Sequence, residues 1–364
     1  MKYFDAEVLE GFGDTIDRII STPTGAIPVL RKGRDGETRN RYTWMYVYDE
    51  TRAKYGRPLT LLAAEKLIEH VKPGDYMLIL TNSVEMDGPP GSAALAKALL
   101  VGLRAIPVVM SDFTPGTKYE RALTQSLTGC QVIPVLTKEE LEGSIWTPYT
   151  AWVHNWPLMT VTEAEEAVEK FLDEFKPKAV ITVEAVSCNT EGITHGALGG
   201  PLNSGDPEER IVRWNQLLEA AKRRGILTIA TGDNGNECGF YTIKEILDRH
   251  HEYCRDCGCP CSAGIVSAAG AEIVIPATSS NWAAYGIEAC LARLLDNPDV
   301  MHDEYTHNRM LLNCANEGIP DGATAMPTPS TDGCSHEACM AVITQLRQTL
   351  LMSLKEIVRE KRGD

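Results

Sequence analysis

Short, mostly uncharged runs alternate with amphipathic segments along most of the chain. Runs at Tyr76–Thr81, Ala105–Met110, Val132–Leu136, Ala179–Glu184, Ile226–Thr231 and Glu272–Ala277 have the length and the flanking turn residues of buried strands. Helical spacing marks Leu61–His70, Gly91–Gly102, Tyr119–Leu127, Glu163–Phe175, Glu208–Arg224, Thr242–Tyr253, Ala283–Asp296, Asp303–Gly318 and Glu337–Lys361. Over Thr242–Tyr253, for example, Ile243, Ile246 and Leu247 share one face, while Lys244, Glu245, Asp248 and Arg249 fall on the other.

Strand–helix alternation predicts an α/β fold: a mainly parallel, doubly wound sheet with helices on both faces, in three layers. A single domain over residues 1–364 is expected. The place for a split into two lobes is 141–162, where two prolines, Trp146 and Trp156 read as a connection. In such sheets ligands gather beyond the carboxyl ends of the strands. The candidate chemistry therefore lies in the loops that leave the apolar runs.

Composition narrows the partners. A formal charge of -15 over 364 residues argues against a nucleic-acid surface or an anionic membrane, since both favour basic patches. The chain starts with acids where a signal peptide would be basic and then apolar. Its most apolar long stretch, 263–295, is broken by Glu272, Pro276, Asn281 and Glu288 and reads as core rather than a membrane span. Eleven cysteines without a secretory signal predict reduced thiols and a cytoplasmic protein. A small-molecule substrate is the expected partner, and a homo-oligomer stays open.

The strand-end loops are rich in acids. After Tyr76–Thr81 come Glu85 and Asp87, then Gly88, Pro89, Pro90 and Gly91 at a helix start whose amides could take an anionic group. A rigid turn with close helix–sheet packing explains the same residues. Glu184 ends the next run, with Glu191 and His195 in the loop beyond. "TGDNGNECG" comes after Ile226–Thr231 and offers Asp233, Asn236 and Glu237 among more glycines than one turn requires. Ser279, Ser280 and Asn281 come after Glu272–Ala277 and read first as helix caps. Asp321-Gly322 and Asp332-Gly333 read as turns, with His336 soon after the second as a candidate base or ligand. Carboxylates from several loops at one sheet edge suit a hard divalent cation, and each raises the pKa of its neighbours.

The segment "HHEYCRDCGCPCSAG" offers a different chemistry. Cys254 and Cys257 have ligand-type spacing, but a structural zinc site normally draws its second pair from a distant segment. Four ligands this close in sequence would be strained, and common iron–sulfur spacing is absent. Zn²⁺ at Cys254, Cys257, Cys259 and Cys261 is thus the lesser reading, with reduced or redox-sensitive thiols the default.

Taken together, "VEMDGPPGSAALAKAL", "TGDNGNECG", "SSNWAAYGIEACLA" and, more weakly, "DGAT…TDGCSHE" resemble the D-glutamate cyclase-like family over most of residues 81–340. That resemblance implies an α/β fold with an acidic cavity suited to Mn²⁺ or Mg²⁺. The namesake activity interconverts D-glutamate with 5-oxo-D-proline and water. It implies metal ligation by Glu85, Asp87, Glu184, Asp233 and Glu237, proton transfer by Asp233 or Glu237, and substrate contacts from Asn236, Ser280 and Asn281. The residues themselves add His336 as a proton carrier and Gly88, Gly91 and Glu191 as substrate contacts. The chain departs from the family after Glu184: Ala185-Val186-Ser187 stands where Arg-Pro-Gly is usual. Competing expectations are a phosphate-ligand-binding transferase using the Gly88–Gly91 helix start and a non-catalytic metal or redox sensor using the cysteines.

Overall fold

The computed structural model describes residues 6–22, 31–32, 38–39, 44–145 and 147–354. A small antiparallel pair, β1 Arg31–Lys32 and β2 Thr38–Arg39, lies outside the main sheet. The main sheet holds β3 Tyr76–Thr81, β4 Ile106–Ser111, β5 Ile133–Val135, β6 Thr150–Asn155, β7 Ala179–Val183, β8 Leu227–Gly232 and β9 Ile273–Pro276. All seven are parallel, in the order β5-β6-β4-β3-β7-β8-β9. The α/β, doubly wound expectation is met.

Strand pleating divides the interior into two layers. Met77, Ile79, Val109, Ile181, Ile229 and Ile275 face one layer of helices; Leu78, Leu80, Val108, Val180, Ala230 and Val274 face the other. Both faces are covered, which is why these strands read as continuous apolar runs rather than alternating ones. The helix Ser280–Leu294 is buried along its length, and helices Leu59–His70, Pro89–Ala98 and Ala6–Ile20 pack around it. It sits inside the stretch read from sequence as core. No described helix is long and apolar enough to cross a membrane.

Several expectations need correction. The segment read as a connection carries β6, which runs between β5 and β4. Its pattern is hard to see because Trp152 and His154 lie among aromatic rings rather than aliphatic side chains. The helix expected from Glu208 begins at Trp214 instead. Upstream of it, Ile211 pairs with Met159, and Arg213 donates to the Met159, Pro207 and Glu209 carbonyls, so that backbone is held extended. Thr242–Tyr253 is a 3-10 turn and two short helices, Lys244–His250 and Glu252–Arg255, rather than one continuous helix. The last helix runs His336–Ser353, and the remainder of its expected span, 355–361, lies outside the described residues. Trp146 also lies outside them. Helices Ala6–Ile20 and Trp44–Tyr55 are additions to the expected set.

Strand order fixes where a site can form. From β3 the chain first builds toward β5, then returns to β7 and builds toward β9. The winding direction therefore reverses between β3 and β7, and loops at the carboxyl ends of these neighbours diverge to leave a crevice.

Candidate active site

Loops leaving β3, β7, β8 and β9 meet at that crevice, joined by the 321–333 loop. Oxygen atoms of Asp87, Asp233 and Asp332 lie within 4.8 Å of one another, as do those of Glu184, Asp233 and Glu237. Asp233 belongs to both triads. Each acid has a distinct local origin.

Asp87 is fixed by the start of helix Ser280–Leu294. It accepts Ser279 Oγ at 3.0 Å, Ser280 N at 2.8 Å and Asn281 N at 2.8 Å, so an acid from the β3 loop caps the helix after β9. Ser280 Oγ donates to Glu184 Oε2 at 2.6 Å. Glu184 turns the chain off β7 with φ 52, a left-handed conformation uncommon for a side chain of this size. Beyond it, Val186 pairs with Glu237, and the Cys238 amide donates to the Ala185 carbonyl. The segment that departs from the family pattern is thus a short ribbon against the Asp233–Glu237 loop.

Glu237 supports its own loop. Its Oε1 accepts the amides of Asp233 (2.7 Å) and Asn234 (2.8 Å), and Oε2 that of Gly235 (2.6 Å). Gly232 permits this closeness, since a Cβ there would stand 2.5 Å from Glu237 Cδ. Asp332 has φ 53 and precedes Gly333 at φ 74. Buried Asp321 anchors that loop, accepting the amides of Ala323, Thr324 and Gly333 and the Ser330 hydroxyl. Asp332 is absorbed into the turn reading of its Asp-Gly pair; the usable signal is a second such pair so close to the first. Glu85 stays partly open at the mouth, beside Gly322, with Asn82 Nδ2 at 3.4 Å from its Oε1.

The electrostatics follow from burial and mutual repulsion. Burial, then the charges of Asp87, Asp233 and Asp321, push Glu85 up to about 8. Burial and Asp233 push Glu237 up to about 8, against the opposing pull of its amide donors. Burial and Asp233 push Asp87 up to about 6. Glu184 and Asp332 are raised well above the usual range by burial and the surrounding acids. The charges that dominate these five shifts are all carboxylates.

The Gly88–Gly91 helix start has a different use from the one weighed for phosphate. Asn281 Oδ1 accepts the Gly88 amide at 3.0 Å and the Gly91 amide at 2.7 Å, and Asn281 Nδ2 donates to the Met86 carbonyl. A side chain of the protein already takes the donors that a phosphate would need. Gly91 is required by this approach: a Cβ would lie 2.6 Å from Asn281 Oδ1 and 2.8 Å from its Cα. Gly91→Ala is expected to lower stability by about 1–3 kcal/mol, read as a lower urea midpoint.

Three other candidates are engaged by groups other than the acids' carboxylates or lie exposed. His336 Nε2 pairs with Asn308 Oδ1 at 2.8 Å. Glu191 is exposed at its turn. Asn236 Nδ2 donates to the His195 carbonyl at 2.9 Å, linking the acid loop to a second cluster. That cluster contains Cys257, Cys259 and Cys261 with His195; Cys254 instead directs its Sγ toward the Asn234 carbonyl.

An α/β protein with acids converging at its winding reversal is the class that fold and site define. Residues 52–347 match the family model described as D-glutamate cyclase-like, C-terminal, and the chain belongs to that family. No curated protein matches. Among solved structures, similarity extends to a Serratia marcescens short-chain dehydrogenase/reductase (13% identity, 46% of this chain and 58% of that one, TM-score 0.24). It also extends to E. coli tRNA N6-threonylcarbamoyladenosine dehydratase (10% identity, 70% and 96%, TM-score 0.27). The chain thus spans 58% of the dehydrogenase's length, and neither superposition is close enough to bear on fold or function.

Proposed function

We propose that this chain is a divalent-cation-assisted cyclase or cyclic-amide hydrolase, interconverting D-glutamate or a related small amino acid with its lactam. The observation carrying this reading is the meeting of two carboxylate triads at Asp233. Hard oxygen donors suit Mn²⁺ or Mg²⁺. The fit is supported by Asp332, whose carboxyl is set against that of Asp87 with their oxygens within 4.8 Å, so that a proton or a cation must lie between them. A buried set of acids whose dominant neighbours are other acids favours positive charge at its centre. Glu184, Asp233 and Asp332 would hold the cation, and Asp87 and Glu237, each with both oxygens engaged by donors, would brace the loops around it. The bound cation would polarise the reacting carbonyl.

The remaining work falls to the chain's own groups. Lactam closure needs a neutral amine and a proton for the departing oxygen. Glu85, at the mouth and raised to about 8, carries that proton near neutral pH and returns as the base that takes a proton from water in hydrolysis. Ser280, the Ser279 hydroxyl and the Asn281 amide keep Glu184 and Asp87 in register.

The test is direct. D-glutamate and 5-oxo-D-proline are each incubated with the protein, with and without added Mn²⁺, and conversion is followed by proton NMR. Cation-stimulated conversion in at least one direction is expected. If neither compound nor a panel of related five- and six-membered lactams is turned over, the reading fails.

A further inference from the structure

We propose that His195, Cys257, Cys259 and Cys261 form a structural zinc site, separate from the carboxylate centre. The ligand atoms of all four lie within 4.8 Å of one another. Sγ atoms of Cys257 and Cys259 are 3.4 Å apart, those of Cys257 and Cys261 3.3 Å, and those of Cys259 and Cys261 3.1 Å. His195 Nε2 lies 3.4 Å from Cys259 Sγ and 3.9 Å from Cys261 Sγ.

These edges describe a small tetrahedron. A zinc–sulfur bond of about 2.3 Å gives sulfur–sulfur edges of roughly 3.8 Å. The His–Cys edges bracket that length, and the thiols need only move outward by a few tenths of an ångström. Cys259 and Cys261 are partly exposed, which leaves them room to do so and gives an ion a way in. A bridging iron–sulfur cluster would need ligands spread over several irons, and so a wider set.

The histidine is prepared as a ligand. Its ring is buried, and Nδ1 lies 3.1 Å from the Ile193 carbonyl. Donation from Nδ1–H to that carbonyl leaves the Nε2 lone pair facing the sulfurs, the outer hydrogen bond typical of metal-bound histidine. The backbone is equally committed. Gly199 presses against the cysteine loop, where a Cβ would stand 2.1 Å from the Cys257 carbonyl, and Gly264 does the same against the Cys254 carbonyl at 1.9 Å. Asn189 Nδ2 donates to the Gly264 carbonyl at 2.7 Å.

This arrangement resolves the strain objection to four adjacent cysteines. Three ligands come from Cys-x-Cys-x-Cys, and the fourth arrives from the loop after β7, in the region where the chain departs from its family. Zinc would staple that loop to the segment before β9. Through the Asn236–His195 hydrogen bond, it would also steady the Asp233–Glu237 loop.

Protein purified without chelator is expected to contain about one zinc per chain by plasma mass spectrometry. Cys259→Ser and His195→Gln should lower that content at least about fivefold, while Cys254→Ser, outside the set, should retain it. Cobalt-loaded wild type should show thiolate charge-transfer absorption and tetrahedral d–d bands, a readout that does not require the variants to fold. Wild type that holds no zinc and takes up neither Zn²⁺ nor Co²⁺ would overturn the proposal. So would Cys254→Ser losing metal as fully as Cys259→Ser, or a metal-free chain lighter by two hydrogens, showing a disulfide in the cluster.

Discussion

Changing Asp233 to asparagine is expected to remove cation binding and turnover together while making the metal-free protein more stable. Asp233 is the acid common to both triads, and its charge raises Glu85, Asp87, Glu184, Glu237 and Asp332 alike. Asparagine is nearly the same size, so the loop geometry is kept, but the site loses one oxygen donor and its most widely shared charge. Mn²⁺ affinity should fall by at least about tenfold, and kcat/KM by about 10²–10³ on whichever substrate wild type uses. Stability moves the other way, because a buried repulsion is relieved at a functional position. Isothermal titration with MnCl₂, the NMR assay and thermal melting read the three effects. Retained affinity with full turnover would remove Asp233 from the centre of the mechanism.

The second large effect is on pH dependence. Dialysed free of added cation, the protein should melt several degrees lower near pH 8 than near pH 5. Unfolded carboxyls titrate near about 4. In the folded chain Asp87 is raised to about 6, Glu85 and Glu237 to about 8, and Glu184 and Asp332 are raised well above their usual values. Between those limits the folded state binds more protons than the unfolded one, so stability falls as pH rises. The contribution of protonation is fully present below about 4 and is lost as pH climbs through the folded values. Asp17 and Asp112, raised to about 6 by burial, add to the lower part of the slope. Surface-paired Glu50, Glu163 and Glu169 are shifted downward, so their opposite contribution is lost only at more acid pH. His154, His195 and His307, held below their usual range by burial, oppose the slope up to about 6.5, which leaves the fall steepest above it. A divalent cation would replace the missing protons. The increase in melting temperature on adding Mn²⁺ should therefore grow with pH. A flat or rising profile in metal-free buffer, with a cation effect that ignores pH, would contradict the electrostatics of the site.

Much of the fold is legible because the strands buried on both faces appear as runs with no charged interruption, holding only uncharged polar residues such as Thr182 and Thr228 inside them. The acids are legible for a related reason: Glu85, Asp87, Glu184, Asp233 and Glu237 each come within a few residues of such a run. The features that escape depend on distance through space. Asp332 reaches the centre from a loop that leaves no strand, and its Asp-Gly pair has an adequate local explanation. His195 looks like one polar residue in an irregular loop, since nothing local announces a partner 62 positions further on. Asn281 reads as a cap for its own helix; instead its side chain serves the start of another, taking the amides of Gly88 and Gly91. β6 is hidden by aromatic side chains and prolines that suggest a linker.

The insertion of β6 between β5 and β4 also constrains how the chain can come together. When β5 is synthesised, its one sheet neighbour among the described residues, β6, has not yet been made. The three-residue β5 cannot join the sheet until Thr150–Asn155 has entered beside β4, so that half of the sheet is completed outward, its rim strand last although made earlier. Such a step needs contacts distant in sequence and is slow relative to helix formation. A nascent chain stopped short of residue 150 would hold β3 and β4 as a pair with an open edge, the state in which this protein would most need a chaperone.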